Sequence, residues 1–324
     1  MEPHRRRFLL AGAAVTASTS SWGQAAAKTV RMLVGFPPGQ ATDTIARPMA
    51  ESLRRATGLN YIVENRPGQG GSVALAELAR GAADGSAMML AHMSALCTNP
   101  HVYKRVPYDS LKDFDPVGLV GDLPFVLVCH PSLPVRNVQE LIAYAKTHPD
   151  RLSNASSGNG TVSHLAMEEF KRRAGVSFVH VPYKGSVPGL TDVAAGNVSL
   201  ALETAAGVTP FVESGRLRPL AIGSHRRLGG ILDVPTLQEQ GLGDLNATTW
   251  LMLLYPRGVQ KDLLHGTFER MRTSLRTPSV EQRLTALNCL PRYSTSPEAA
   301  GSYLRAEFRE WGEVVRRSGV KLEG

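Results

Sequence analysis

The spacing of apolar and polar positions changes period repeatedly along this chain. Residues 30–36 form a short β-rich run, after which Ile45, Met49 and Leu53 recur at helical spacing within residues 44–57. Residues 61–63 read as a strand, 73–80 as a helix, 88–91 and 125–129 as strands, and 138–147 as a helix. The scheme repeats with a strand at 152–156, a helix at 162–173, and strands near 178–181, 200–203 and 219–222. Helices at 262–276 and 280–287 follow, and Ser296-Pro297-Glu298 supplies an N-cap and a first-turn proline for a last helix. Leu304, Phe308, Trp311 and Val315 fall on one face of that helix, a stripe expected in the core. Strands alternating with helices predict an α/β fold with a mainly parallel sheet.

The chain has 324 residues, more than one typical core of about 100–200 residues holds, so two domains are expected. Its start is unlike the rest. Arg5-Arg6-Arg7 precede an apolar run at 8–17 and a small-residue stretch ending near Ala25, which together make a secretory signal. The run is too short for a bilayer, which needs about 20 apolar residues, so cleavage near Ala25 and a periplasmic mature protein are expected. The arginine pair followed by x-Phe-Leu also fits twin-arginine export, with the general secretory route left open. Loss of the signal removes three arginines and Glu2, reducing the formal charge from +8 to +6. That balance carries no nucleic-acid motif and agrees with weak attraction of anionic solutes. The three cysteines, Cys97, Cys129 and Cys289, lack metal or CxxC spacing and are expected as buried free thiols, with one disulfide left open.

Two turns lie between a strand and a helix. One runs from Phe36 through Gly39, Thr42 and Asp43; the other runs from Ser156 through Ser157, Gly158, Asn159, Gly160 and Thr161. Helix starts present free backbone N–H groups and the positive end of the dipole, and glycine lets a ligand approach closely. Open α/β sheets bind ligands at this edge. A turn in each α/β unit predicts a cleft gripped from both sides, with the Gly158 and Gly160 N–H groups cradling a carboxylate. Neither turn contains lysine or arginine, so no bidentate clamp is expected. His164 follows the second turn and His92 follows the strand at 88–91; an imidazole at His92 titrating near neutral pH would sense ligand charge. The glycine-rich turn at 65–72 is expected to be structural. Phosphate-loop, nucleophile-elbow and HExxH patterns are missing, so no cofactor, metal or catalytic role is assigned.

Read together, VGFPPGQATDTIAR, VENRPGQGGS, VPYDSLKDFDPVG, SSGNGTVSHL, VHVPYKGSVPGLTDVAAGNV and DVPTLQEQGL resemble the Bug family, the substrate-binding receptors of tripartite tricarboxylate transporters. The resemblance implies a two-lobed, type II Venus-flytrap fold closing on a dicarboxylate, tricarboxylate, acidic amino acid or aromatic acid. Lobe one would hold 28–125 and 250–324, and lobe two 126–249. It implies a ligand site at Gly39, Thr42, Asp43, Ser157, Gly158, Gly160 and Thr161, approached by Met93 and Ser94, with Glu203 where an aspartate is usual. Gln40 stands in place of a second glycine, and His92-Met93 in place of smaller residues. The expected protein is a monomer that delivers its ligand to membrane permease subunits. Two other functions share this outline at the level of sequence: a sensor that presents its closed form to a kinase, and a hydrolase using Ser157.

Overall fold

The computed structural model describes residues 29–245 and 247–322, so the signal at 1–25 lies outside the described residues. In chain order the elements are β1 (Thr29–Val34), α1 (Ala41–Thr57), β2 (Asn60–Asn65), α2 (Ser72–Ala79), β3 (Ala87–His92), α3 (Asn99–Val102) and β4 (Phe114–Cys129). The middle of the chain supplies α4 (Val138–Thr147), β5 (Ser153–Ser156), α5 (Val162–Ala174), β6 (Val179–Pro182), α6 (Ser186–Ala194), β7 (Leu200–Thr204), α7 (Ala205–Glu213) and β8 (Arg218–Ile222). The chain ends with β9 (Thr248–Pro256), α8 (Lys261–Leu275), α9 (Pro278–Ala286), β10 (Leu290–Pro291) and α10 (Pro297–Ser318).

The strands form one curled mixed sheet in the order β2-β1-β3-β9-β4-β7-β5-β6, with β8 and β10 pairing onto β4. Within each half the βαβ units run parallel: β2 and β3 beside β1, and β6 and β7 beside β5. Antiparallel β9 and β4 lie between these groups. The 16-residue β4 joins them. From Phe114 to Pro124 it pairs with β9, and from Phe125 to Cys129 with β7 and β8. The α/β class therefore stands, with the parallel core of each half edged by crossing strands.

Burial explains the layers. Every residue of β3 and of β7 is buried, as expected of strands covered on both faces. Ile45, Met49 and Leu53 of α1 pack with Met32, Leu251 and Tyr255 on one side of the first half-sheet. Leu190, Val193 and Val208 pack with Val126 and Ile222 on the second. A third cluster runs through both halves, joining Leu75 and Met89 to Leu165, Phe170, Trp250, Leu304 and Trp311. In α10 the stripe is core as expected, although Phe308 is only half-buried and lies against His101. Ser296 caps this helix by accepting the Ala299 N–H at 3.2 Å. The three cysteines are buried free thiols. Among the described residues no helix is long and apolar enough to cross a membrane.

Candidate functional site

A small cavity of about 30 Å³ lies between the two halves, lined by Phe36, Thr42, His92, Ser157 and Glu203 from the sequence reading. Gln40, Ala41, Leu123, Phe125, Ser186 and Thr204 line it as well. Three helix starts meet there: Gln40 to Thr42 open α1, Ser186 opens α6, and Thr204 is the N-cap of α7. None of the three is capped by its own N-cap side chain, and α6 alone has its first N–H taken by a side chain, Gln40; the first-turn N–H groups provide an electropositive lining without a lysine or arginine. The opposite wall is apolar and comes from the strand parity of β4. Leu123 and Phe125 point into the cavity, while Asp122, just before them, belongs to the other face.

The first turn is rigidly held. Gly39 sits at φ +81° and donates its N–H to Asp43 Oδ2 at 2.9 Å. The other Asp43 oxygen accepts from Arg47 and from Asn65, whose amide also donates to the Phe36 carbonyl at 2.9 Å. Burial would raise the Asp43 carboxyl, but these bonds hold it below the usual carboxylate range. Asp43 and Gly39 therefore shape the turn and lie outside the cavity lining. The turn at 65–72 supports it structurally, as expected, since Gly71 packs so closely on Gly35 that no side chain fits at Gly35.

The second turn departs from the expected anion cradle. The Gly158 N–H donates to Ser156 Oγ at 3.3 Å and the Gly160 N–H to His164 Nδ1 at 3.2 Å. Both donors are thus satisfied within their own turn. Thr161 bonds back to the Gly158 carbonyl. His164 stacks on His180 with ring centroids 3.9 Å apart. Burial, aided by Lys171, pushes His164 down to about 4. Gly158, Gly160, Thr161 and His164 do not line the cavity; Ser157 does.

Ser94 and Met93 are likewise displaced from the lining. Met93 is core, and Ser94 Oγ accepts the Val162 N–H at 3.3 Å, capping α5 from the other half of the molecule. Thr98 donates to the Gly160 carbonyl at 2.7 Å and Tyr103 to the Asn159 carbonyl at 3.2 Å. The halves are therefore in direct contact around the cavity, a closed arrangement with space for about one water.

Two titratable groups face this space. His92 lies edge-on to Phe36 with centroids 5.2 Å apart, and its Nδ1 accepts the Ser94 N–H, which leaves the ring proton on Nε2. Burial lowers it to about 4, so it is neutral at pH 7 and does not sense charge there as the sequence reading expected. Glu203 is buried and accepts from Ser163 Oγ at 2.8 Å. Burial raises it to about 7, against the opposing hydrogen bonds of Ser163 and Ser157. Near neutrality it carries a proton in a fraction of molecules.

A larger crevice of about 680 Å³ lies on the reverse face of β4, beside Asp122, Trp250, Tyr303 and Glu307. Its charges are largely satisfied internally: Arg292 pairs with Asp122, Arg173 with Glu169 and Asp244, and the Trp250 indole donates to Glu307. The smaller cavity, where three helix starts meet, is the candidate ligand site. Among the described residues, no group of three or more His, Cys, Asp or Glu is placed to hold a metal ion.

Comparison with known proteins agrees with this geometry. BugT of Bordetella pertussis is 34% identical over 298 residues, covering 92% of this chain and 91% of that protein. An R. palustris protein solved with adipate superposes with a TM-score of 0.85 at 30% identity, covering 93% of this chain and 99% of that one. The periplasmic binding protein BugD superposes with a TM-score of 0.84 at 30% identity, covering 91% and 99% of the two chains. These neighbours share the two-lobed periplasmic-binding-protein fold. The family model described as the tripartite tricarboxylate transporter family receptor matches residues 45–320, and the chain belongs to that family, with the Bug proteins among its relatives.

Proposed function

We propose that this receptor is exported, captures a small carboxylated organic acid in the cavity between its lobes, and delivers it to a tripartite permease without catalysing a reaction. The observation that carries the reading is the meeting of the α1, α6 and α7 starts on one cavity lined by no lysine or arginine. A carboxylate there is held by backbone N–H groups, by the Thr42, Ser157 and Ser186 hydroxyls and by the His92 Nε2–H. Phe36, Leu123 and Phe125 supply an apolar wall for the body of the acid. The ligand class proposed is a dicarboxylate, tricarboxylate, acidic amino acid or aromatic acid; neighbours solved with adipate and with malate support a carboxylated acid.

The lobes in this reading are 28–125 with 250–324, and 126–249. The change of partners along β4 at Pro124 and Phe125 supports that division, because a strand shared by both half-sheets is a natural hinge. The binding residues would be the cavity lining, while Gly39, Asp43, Met93, Ser94, Gly158, Gly160, Thr161 and His164 hold the two turns and the lobe contact. Export with cleavage near Ala25 and action as a monomer complete the proposal.

Native mass spectrometry of the periplasmic protein tests it directly. A co-purified organic acid, mass consistent with a start near Ala26, and titration heat with succinate, citrate, glutamate or terephthalate are the expected results. A bound species without a carboxylate, together with no heat from any acid, would refute the reading.

A further inference from the structure

Gln40 does something in this cleft that acid capture alone leaves unexplained. It is the N-cap residue of α1, yet its side chain makes no bond to that helix. The side chain crosses to the other lobe, where its Oε1 accepts the Ser186 N–H at 3.4 Å, and the residue is only 7% exposed. The opposing turn is shaped around it: Gly185 has φ +112°, and a methyl group there would overlap the Gln40 amide. An amide oxygen at a helix start accepts a hydrogen bond as a carboxylate oxygen does, but brings no charge. Gln40 thus occupies the α6 end of the cleft, and the cavity that remains is about 30 Å³.

We propose that Gln40 is a specificity-determining residue that takes the place of a second ligand carboxylate at the start of α6, so that the receptor prefers compact acids with one carboxylate over linear dicarboxylic acids. The inference rests on the cleft being the acid site. Once the lobes part enough to admit it, a monocarboxylate directs its charge at the α1 and α7 starts and its body at Phe36 and Phe125, without taking the place of Gln40 at the start of α6. The second carboxylate of a linear diacid meets the Gln40 oxygen instead of a free N–H. It must displace the amide or remain unpaired in a buried site, and either costs affinity.

Calorimetric titration of the full mature protein, Gln40→Gly and Gln40→Ala against propionate, benzoate, succinate and adipate tests the assignment. Gln40 lies at φ −80°, which alanine adopts freely, so the alanine variant carries the test should the glycine variant fold poorly. Both variants should bind succinate or adipate at least about tenfold more tightly than the wild type. Cooperatively melting variants that bind the diacids no more tightly than the wild type, while the wild type binds any acid of the panel, would overturn the role of Gln40 and leave the acid receptor standing. Failure of all three proteins to bind any of these acids would refute acid capture in this cleft, and the role of Gln40 with it.

Discussion

The turn that opens α1 and the turn that opens α5 both place glycine between a buried strand and a helix, but they use their N–H groups differently. At α1, Asp43 takes the Gly39 N–H while Ala41 and Thr42 face the cavity at an uncapped helix start. At α5, Ser156, His164 and Ser94 take the donors of Gly158, Gly160 and Val162. Glycine content therefore does not identify an anion cradle. The destination of each N–H does, since a buried donor already satisfied adds little to a ligand. By this contrast α1 is the candidate binding element, and the α5 turn belongs to the contact between the two halves.

The most damaging way to probe that contrast is at Gly160. It has φ +74°, and a Cβ there would lie 3.2 Å from Val102 and 3.3 Å from Asn99, across the lobe contact. Gly160→Val combines left-handed strain in a β-branched residue with overpacking, and about 4 kcal/mol of stability should be lost in urea denaturation. The variant should also scatter as a more open particle. A loss below about 1 kcal/mol with an unchanged radius would show that the second turn does not hold the lobes together.

Glu203 anchors the base of that same turn through Ser163 and Ser157, and its titration sharpens the comparison. Burial raises it from 4.5 to about 7, so the native state keeps a proton that the unfolded chain loses. Its contribution is full below about pH 4.5 and is lost as pH rises to about 7. His92, His164 and His180 act with the opposite sign, because burial lowers each from 6.5 to about 4. Their contribution is full above pH 6.5 and is lost as pH falls toward 4. The stability of Glu203→Gln relative to the wild type should therefore climb by about 3 kcal/mol from pH 4.5 to pH 7. Parallel stability curves over that range would mean that the carboxyl titrates in the folded protein as it does in the unfolded chain.

At Gly39 the expected effect is smaller. The residue has φ +81°, but a Cβ there meets nothing within 4 Å. Gly39→Ala should cost only the left-handed backbone term, about 1 kcal/mol, against about 4 at Gly160. Equal losses at the two glycines would remove the distinction between an open turn and a packed one.

These differences also mark what the sequence could convey. The α10 helix was legible because Ser296 and Pro297 signal its start and one apolar stripe runs its length. The first part of β4 was not, since Pro116, Gly118, Gly121 and Pro124 interrupt its pattern, and its register shifts on both sides of Leu119. Pro188 and Gly189 hid α6, as Gly207 and Pro210 hid α7. Of the residues that line the candidate cavity, Phe36, Thr42, His92, Ser157 and Glu203 stand out from strand-to-helix turns and the family pattern. Ser186 and Thr204 also precede or open helices, but those helices were themselves unread. Leu123 and Phe125 needed the register of β4. The internal use of the Gly158 and Gly160 donors depends on Ser156 and His164 rotamers, which no spacing specifies.

The smallest expected effect isolates one bond between the lobes. Ser94 Oγ accepts the Val162 N–H at 3.3 Å, so a residue of one lobe caps a helix of the other, and Ser94 also lies next to His92 at the rim of the site. Ser94→Ala keeps the backbone N–H that donates to His92 Nδ1 and removes only the cap. The loss should be near 1 kcal/mol, the ordinary cost of removing a serine cap, and it falls on the closed arrangement because the bond exists only when the lobes meet. Ligand affinity should drop by about fivefold, since a binding-competent state that is less populated lowers the apparent affinity in proportion. The separate lobes should be little affected, so hydrogen exchange at Val162 should quicken while exchange within β3 and β7 stays the same. A Ser94→Ala protein with wild-type affinity and wild-type exchange at Val162 would show that α5 draws its capping from elsewhere and that this cross-lobe bond contributes nothing to closure.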